Sequence, residues 1–285
     1  MTNPLRTRLA PGGSAIPLAA LLRLGTERFD AAAALDRSLG ARFPGARLTY
    51  HASGREAMRR ALVQIAQRSG RNEVAIPAYG CFSIPASVVA AGLRVRLVDV
   101  DEQGRLAPEA VEAIPFERVA AIVVGNLFGL PEPVAALAAR AHAAGATVVD
   151  DAAQALGATA ADGVVGARGD VGILSFGRGK PLSALGGGAA IWRDATDADS
   201  LAEGAGLGRP ARLPALMRGL AYDVSRRPAV LGLLAAIPAL EIGRTIYDVE
   251  FGRGPMPGAA VALAAALAPE LDRLNASRRQ TAHAL

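Results

Sequence analysis

Lys180 is the one lysine in this chain; every other one of its 31 Lys+Arg residues is arginine. A guanidinium stays protonated in proteins, whereas an ammonium can lose its proton and then attack a carbonyl. Lys180 is therefore a candidate Schiff-base nucleophile. The plain alternative is a stray surface lysine in an arginine-biased chain, and its surroundings decide between the two.

Three other places carry groups that such a lysine needs. In Val148-Val149-Asp150-Asp151-Ala152-Ala153-Gln154 a buried strand runs straight into two carboxylates. No histidine or third acid follows at metal-ligand spacing. One carboxylate can instead face a cationic ring nitrogen while the other caps the next helix. Ser53-Gly54-Arg55-Glu56 matches the Ser-x-x-Glu box that opens a helix. A glycine-bearing helix start leaves backbone N–H groups free to seat a phosphate. Ser175, at the end of Gly172 to Phe176, can donate to the same phosphate. Lys180 follows five residues later, ahead of Gly186-Gly187-Gly188, where the backbone can pass close to a ligand or another chain. A phosphate seat, an acid for a pyridinium nitrogen and an amine for an aldehyde together describe pyridoxal phosphate.

Regular elements must position these groups. From 53 to about 193, short β-branched runs alternate with alanine-rich helical stretches. The runs are Val74 to Ile76, Val95 to Val100, Val119 to Val124, Thr147 to Asp150, Val171 to Phe176 and Ala189 to Trp192. The helical stretches include Gly54 to Arg68, Ser83 to Ala91, Ala107 to Ala113 and Glu132 to Ala144. Such alternation predicts an α/β fold, a mostly parallel sheet covered by helices on both faces. Ligands then bind beyond the carboxyl ends of the strands. Four segments are expected: 1–50 as an N-terminal arm and helix, 51–200 as the ligand-binding large domain, 201–257 as a helical insertion, and 258–285 as the start of a C-terminal domain.

Bulk composition narrows the partners. The chain has 285 residues, 51% hydrophobic but only 4% aromatic, with a formal net charge of +5. Its arginines are scattered, without a basic run or interleaved aromatics. A phosphorylated or nucleotide-linked small molecule accounts for that charge at least as well as nucleic acid. The lone Cys81 excludes an internal disulfide and fits a reducing compartment. The first twenty residues lack the basic-then-apolar order of a signal peptide. Ala229 to Leu240 is broken by Pro238 and falls short of the ~20 residues that span a bilayer. The expectation is a cytoplasmic protein. Arg218, Arg226, Arg227 and Arg244 flank apolar segments of the insertion, and a subunit interface is preferred there over a membrane-surface contact through 216–246. His142, on a helix far from any strand end, and His283, in the last stretch, carry little weight; His51 lies just upstream of the helix cap and could reach the site, with a structural role preferred.

The motifs in this order resemble the DegT/DnrJ/EryC1/StrS sugar aminotransferases, which are fold-type I pyridoxal-phosphate enzymes. The resemblance rests on Gly54 to Met58, Pro77-Ala78-Tyr79, Gly92 followed by Val98 to Asp101, Leu127-Phe128-Gly129, Asp150 to Gln154, and Ser175-Phe176 ahead of Lys180. It covers roughly residues 50–194 and resumes weakly at 258–280. It implies a three-layer α/β/α domain with a mostly parallel seven-stranded sheet. Lys180 would hold the cofactor, Asp151 would face the pyridine nitrogen, and Gln154 would sit beside the ring. Ser175 would bind the phosphate together with the backbone at Gly54 and Arg55. The implied reaction moves an amino group from glutamate to a nucleotide-linked keto sugar, in homodimers whose active sites are shared. The retained lysine argues against the dehydratase branch, which carries histidine there.

Three departures stand out. Arg55 replaces the usual Thr or Asn. Cys81, followed by Phe82, stands where an aromatic often stacks on the ring. Gly252 to Pro257 lacks the polar Asn/Arg element that reaches the partner's site in the family. Family members also continue as a small domain beyond the helix that resembles 258–280, so the resemblance implies a sequence cut short at Leu285. The alternatives are a non-catalytic relative that keeps the fold, or another fold-type I reaction such as decarboxylation or aldol cleavage.

Overall fold

The computed structural model describes residues 15–25, 30–194, 205–237 and 247–284. Helices α1 (Leu18–Leu24) and α2 (Ala31–Gly40) precede strand β1 (Arg47–His51). Then α3 (Gly54–Ser69), β2 (Glu73–Pro77), α4 (Ser83–Ala90) and β3 (Arg94–Val98) alternate. The rhythm continues through α5 (Pro108–Glu112), β4 (Val119–Gly125), α6 (Ala135–Ala143) and β5 (Thr147–Asp151). A small hairpin, β6 (Thr159–Ala160) and β7 (Gly163–Val164), leads to β8 (Val171–Ser175) and β9 (Gly188–Trp192). The remaining helices are α7 (Arg212–Ser225), α8 (Pro228–Ala235), α9 (Gly258–Leu267) and α10 (Leu271–His283).

Seven strands form one sheet in the order β1-β9-β8-β5-β4-β2-β3. Strands β3, β2, β4, β5 and β8 pair in parallel, and β9 runs antiparallel to both of its neighbours. Alternate side chains go to opposite faces. Val149, Ile173, Ala190 and Trp192 pack under α3 and α4, while Ile122, Val124 and Val148 pack under α5 and α6. Leu174, Ala189 and Ile191 join the core built by α2 and α9. Burial on both faces explains the continuous apolar run of β4. The predicted three-layer α/β/α fold with a mostly parallel seven-stranded sheet is what forms.

The segment boundaries fall differently in space. β1 spans the expected break at 50/51, because its Arg47–His51 pairs with Gly188–Trp192. Helix α9, expected to open a further domain, is buried along its length and shares a core with α2, Phe43 and Phe176. Its alanines let the neighbouring helices approach closely. Of the segment expected to be a helical insertion, Arg212–Ser225 and Pro228–Ala235 are helical, while 205–211 and 247–257 are not. Ala215, Gly219 and Tyr222 of α7 face inward. Leu213, Met217, Leu220 and Val224, spaced four, three and four apart, face outward and are 45–68% exposed. Residues 195–204 and 238–246, including Arg244, lie outside the described residues. Among the described residues no helix is long and apolar enough to cross a membrane.

Candidate active site

Four parallel strands end on one cleft of about 190 Å³. Pro77 closes β2, Gly125 closes β4, Asp151 closes β5 and Ser175 closes β8, and all four line it. Gly54 and Arg55 of α3 line it from above, as do Cys81, Gln154 and Lys180. Seven of the eight residues singled out from the sequence therefore meet in one place. Phe82 does not. It immediately precedes α4, outside the cleft lining. Tyr79 lines the cleft instead, with half its surface open.

The start of α3 is built by close approach. Ser53 Oγ accepts the Glu56 N–H at 3.1 Å, half of the expected capping box. The returning half is missing. The buried Glu56 carboxylate is held by Arg59 Nε and a second guanidinium nitrogen, at 2.6 and 2.8 Å. A charge out of water needs that bidentate partner more than the cap does. A Cβ on Gly54 would stand 2.8 Å from Ser175 Cβ and 3.1 Å from its Oγ. One on Gly188 would run into the backbone nitrogen of Gly54. Glycine at both positions thus lets the helix N-terminus sit directly on the ends of β8 and β9. Its free N–H groups and the Ser175 hydroxyl then face the same volume.

Lys180 rides on a closed loop. Phe176 N–H donates to Gly187 O at 2.9 Å, and Gly186 N–H donates to Phe176 O at 3.3 Å, so the chain leaves and returns through one clamp. Leu182 and Ala184 bury into the core and anchor the far limb. Gly187, at φ +85°, is pressed by Met256, whose Cε would lie 2.7 Å from a Cβ there.

The two carboxylates of β5 separate completely. Asp150 is fully buried and paired with Arg168. Asp151 lines the cleft, and its Oδ1 accepts the Ala153 N–H at 2.9 Å. Burial pushes the Asp151 carboxyl up to about 6; the Ala153 N–H and the Lys180 ammonium pull it down, and the charge of Asp150 adds to the rise. Neither acid caps a helix, because the chain after Asp151 is a series of turns. Gln154 Oε1 accepts the Phe128 N–H at 3.0 Å, leaving its amide nitrogen to donate. Arg55 reaches away from the helix start, 4.9 Å above the Phe251 ring and 3.4 Å from Asp248 O. Among the described residues no cluster of three or more His, Cys, Asp or Glu side chains could hold a metal.

The family model for the DegT/DnrJ/EryC1/StrS aminotransferases matches residues 33–216. The chain belongs to the DegT/DnrJ/EryC1/StrS aminotransferase family. It is 34% identical over 146 residues to UDP-N-acetyl-3-dehydro-alpha-D-glucosamine 3-aminotransferase of Acidithiobacillus ferrooxidans, a match covering 50% of this chain and 39% of that protein. It is 36% identical over 133 residues to a pleiotropic regulatory protein of Geobacillus stearothermophilus, covering 46% and 35%. Matches to the curated relatives thus span well under half of their length. A sugar aminotransferase from Micromonospora echinospora shares the fold at a TM-score of 0.65 and 22% identity, covering 93% of this chain and 69% of that one.

Within this family member the sequence reading misses one cleft residue of consequence. Asn126, just past β4, lines the cleft, and its amide donates to Asp150 Oδ1 at 2.7 Å and to Asp151 O at 2.9 Å. The rule that chemistry sits after each strand points to it. His51 and His142 make contacts within the fold. His51 is buried with Nε2 3.0 Å from Thr49 Oγ1, and His142 lies 2.8 Å from Asp170 Oδ2, outside the cleft.

Proposed function

We propose that this chain binds pyridoxal phosphate and acts as an aminotransferase, moving an amino group from glutamate to a nucleotide-linked keto sugar. One observation carries the reading: an amine, a carboxylate, a hydroxyl and a helix N-terminus line a single cleft at the carboxyl ends of parallel strands. Those groups match the aldehyde, ring nitrogen and phosphate of that cofactor. When bound, it supplies a sink for the electron pair left at carbon as a proton departs.

The residues then divide the work. Ser175 Oγ and the first N–H groups of α3 hold the phosphate against the positive end of the helix. Asp151 holds a proton on the ring nitrogen, and a carboxylate facing a cation there is ionised rather than protonated. Gln154 donates its amide beside the ring. Lys180 would hold the cofactor through Nζ and would carry a proton there to and from the substrate carbon. The exposed face of α7 supports a homodimer, and the reading places the enzyme in the cytoplasm.

Borohydride reduction of the protein mixed with pyridoxal phosphate tests the claim. Peptide mass analysis is expected to find the cofactor fixed on Lys180; an unmodified Lys180 ends this reading. A second reading is a cofactor-binding relative without turnover. It is favoured by Gly254, whose carbonyl takes the Ala52 N–H at 2.8 Å and ties the segment lacking the Asn/Arg element to its own chain. Formation of the pyridoxamine form on adding glutamate separates the two.

A further inference from the structure

Arg168 lies outside the cleft, and no motif of the sequence singles it out. Its side chain is almost entirely buried, 2% exposed. All five of its N–H donors find acceptors. Nε reaches Asp150 Oδ2 at 3.1 Å, and one terminal nitrogen reaches Asp150 Oδ1 at 2.9 Å and Asn126 Oδ1 at 2.7 Å. The other reaches Glu132 O at 2.7 Å and Asp162 Oδ1 at 3.3 Å. Asp150 is saturated in return. Besides the guanidinium it accepts the Asn126 amide at 2.7 Å, the Gly166 N–H at 2.8 Å and the Arg168 N–H at 3.2 Å. A buried charge this well paired is costly to disturb from one side alone.

The network touches the cleft at two points. Asn126, held by Asp150, Arg168 and the Glu132 N–H, lines the cleft and donates to the backbone oxygen of Asp151. Asp150 is the neighbour of Asp151, and its charge acts on that carboxyl.

We propose that Arg168 is a positioning residue: by neutralising Asp150 and locking Asn126, it leaves Asp151 as the carboxylate of the pair whose charge is presented to the ligand. Left unpaired, Asp150 would push a second negative charge against Asp151, and two adjacent buried carboxylates resist ionising together. The charged groups acting on Asp151 are Lys180 from the loop after β8 and Asp150 on its own strand, which Arg168 pairs. Arg55 of α3 lines the same cleft. Asn126 after β4 and Ser175 of β8 are uncharged. The consequence for a ring nitrogen rests on the reading proposed above; the effect on Asp151 does not.

The test uses cofactor-free full-length protein with carbon-13-labelled aspartate. The Asp151 carboxyl resonance is assigned by its loss in Asp151→Asn. Arg168→Met is expected to raise the Asp151 titration midpoint by about one pH unit or more. Asp150→Asn, which leaves the guanidinium without its counter-charge, is expected to lower it by a similar amount. The double variant is expected to return close to wild type. An unmoved midpoint in either folded single variant, or a shift of the opposite sign, overturns the proposal. If Arg168→Met fails to fold, Asp150→Asn and the double variant decide alone. Because no cofactor is present, failure here leaves the borohydride result on Lys180 untouched, and the reverse also holds.

Discussion

Gly54 and Ser175 meet so closely that a methyl on Gly54 would stand 2.8 Å from the Ser175 Cβ. This contact sets the helix N-terminus on the strand end. Gly54→Ala is expected to cost about 1–3 kcal/mol, the usual penalty of overpacking a tight site. Ser175→Gly in the same chain removes the opposing Cβ and recovers most of the loss. Urea unfolding of the cofactor-free protein measures both. A Gly54→Ala protein as stable as wild type would show that the two elements are free to separate.

Asp151 is a group kept at a cost to the fold. Its folded value of about 6 lies above the ordinary 3.8, so its contribution to stability is fully present below pH 3.8 and lost as pH rises through 6. Asp151→Asn carries no such loss. The cofactor-free variant should be more stable than wild type by roughly 3 kcal/mol at pH 8, with the difference vanishing below pH 3.8. Catalysis should move the other way, with kcat/KM falling about 100-fold or more. Paired denaturation curves across pH check the first statement, and steady-state kinetics check the second.

His51 titrates in the opposite sense. Burial, aided by Arg60 and Arg59 and opposed by Glu56, lowers it from 6.5 to about 4. The unfolded chain takes up the proton first, so stability falls as pH drops from 6.5 towards 4, by about 3 kcal/mol from this group. The effect overlaps that of Asp151 and is best read in the Asp151→Asn background. Adding His51→Asn there should flatten the acid limb of the stability curve. An acid limb that keeps its slope would assign the loss to other groups.

The outer face of α7 bears on assembly. Met217 and Leu220 are exposed, so replacing both by glutamate should leave the far-ultraviolet spectrum unchanged. In the proposed homodimer the same change is expected to lower the native mass from two chains to one in sedimentation equilibrium. A dimer that survives removes α7 from the interface.

Much of this architecture is legible in the residues because burial on both faces writes itself as continuous apolar runs. Val119 to Val124 and Thr147 to Asp150 read directly as strands. Strand β1 does not read that way. Its buried face carries Thr49 and His51, and their burial depends on Trp192, whose Nε1 donates to Thr49 Oγ1 at 3.0 Å from 143 residues away. The cleft is legible for a similar reason. Glycines, a strand-end serine and a unique lysine mark the turns that bring the strands to it. The Arg168 network is not, since its partners Asn126, Asp150 and Asp162 share no period and meet only after the chain has folded.

The clamp between Phe176 and Gly186-Gly187 has a consequence for engineering. It closes the base of the lysine loop, while Leu182 and Ala184 hold the far limb in the core. Residues added or deleted around the exposed Arg178 would change the reach of Lys180 while Ser175 and Gly188 keep their places in β8 and β9. The same insertion two residues into β9 would slip its register and turn Trp192 out of the core. Tether length and seat geometry can therefore be varied separately in a library, one by insertion and the other by point substitution.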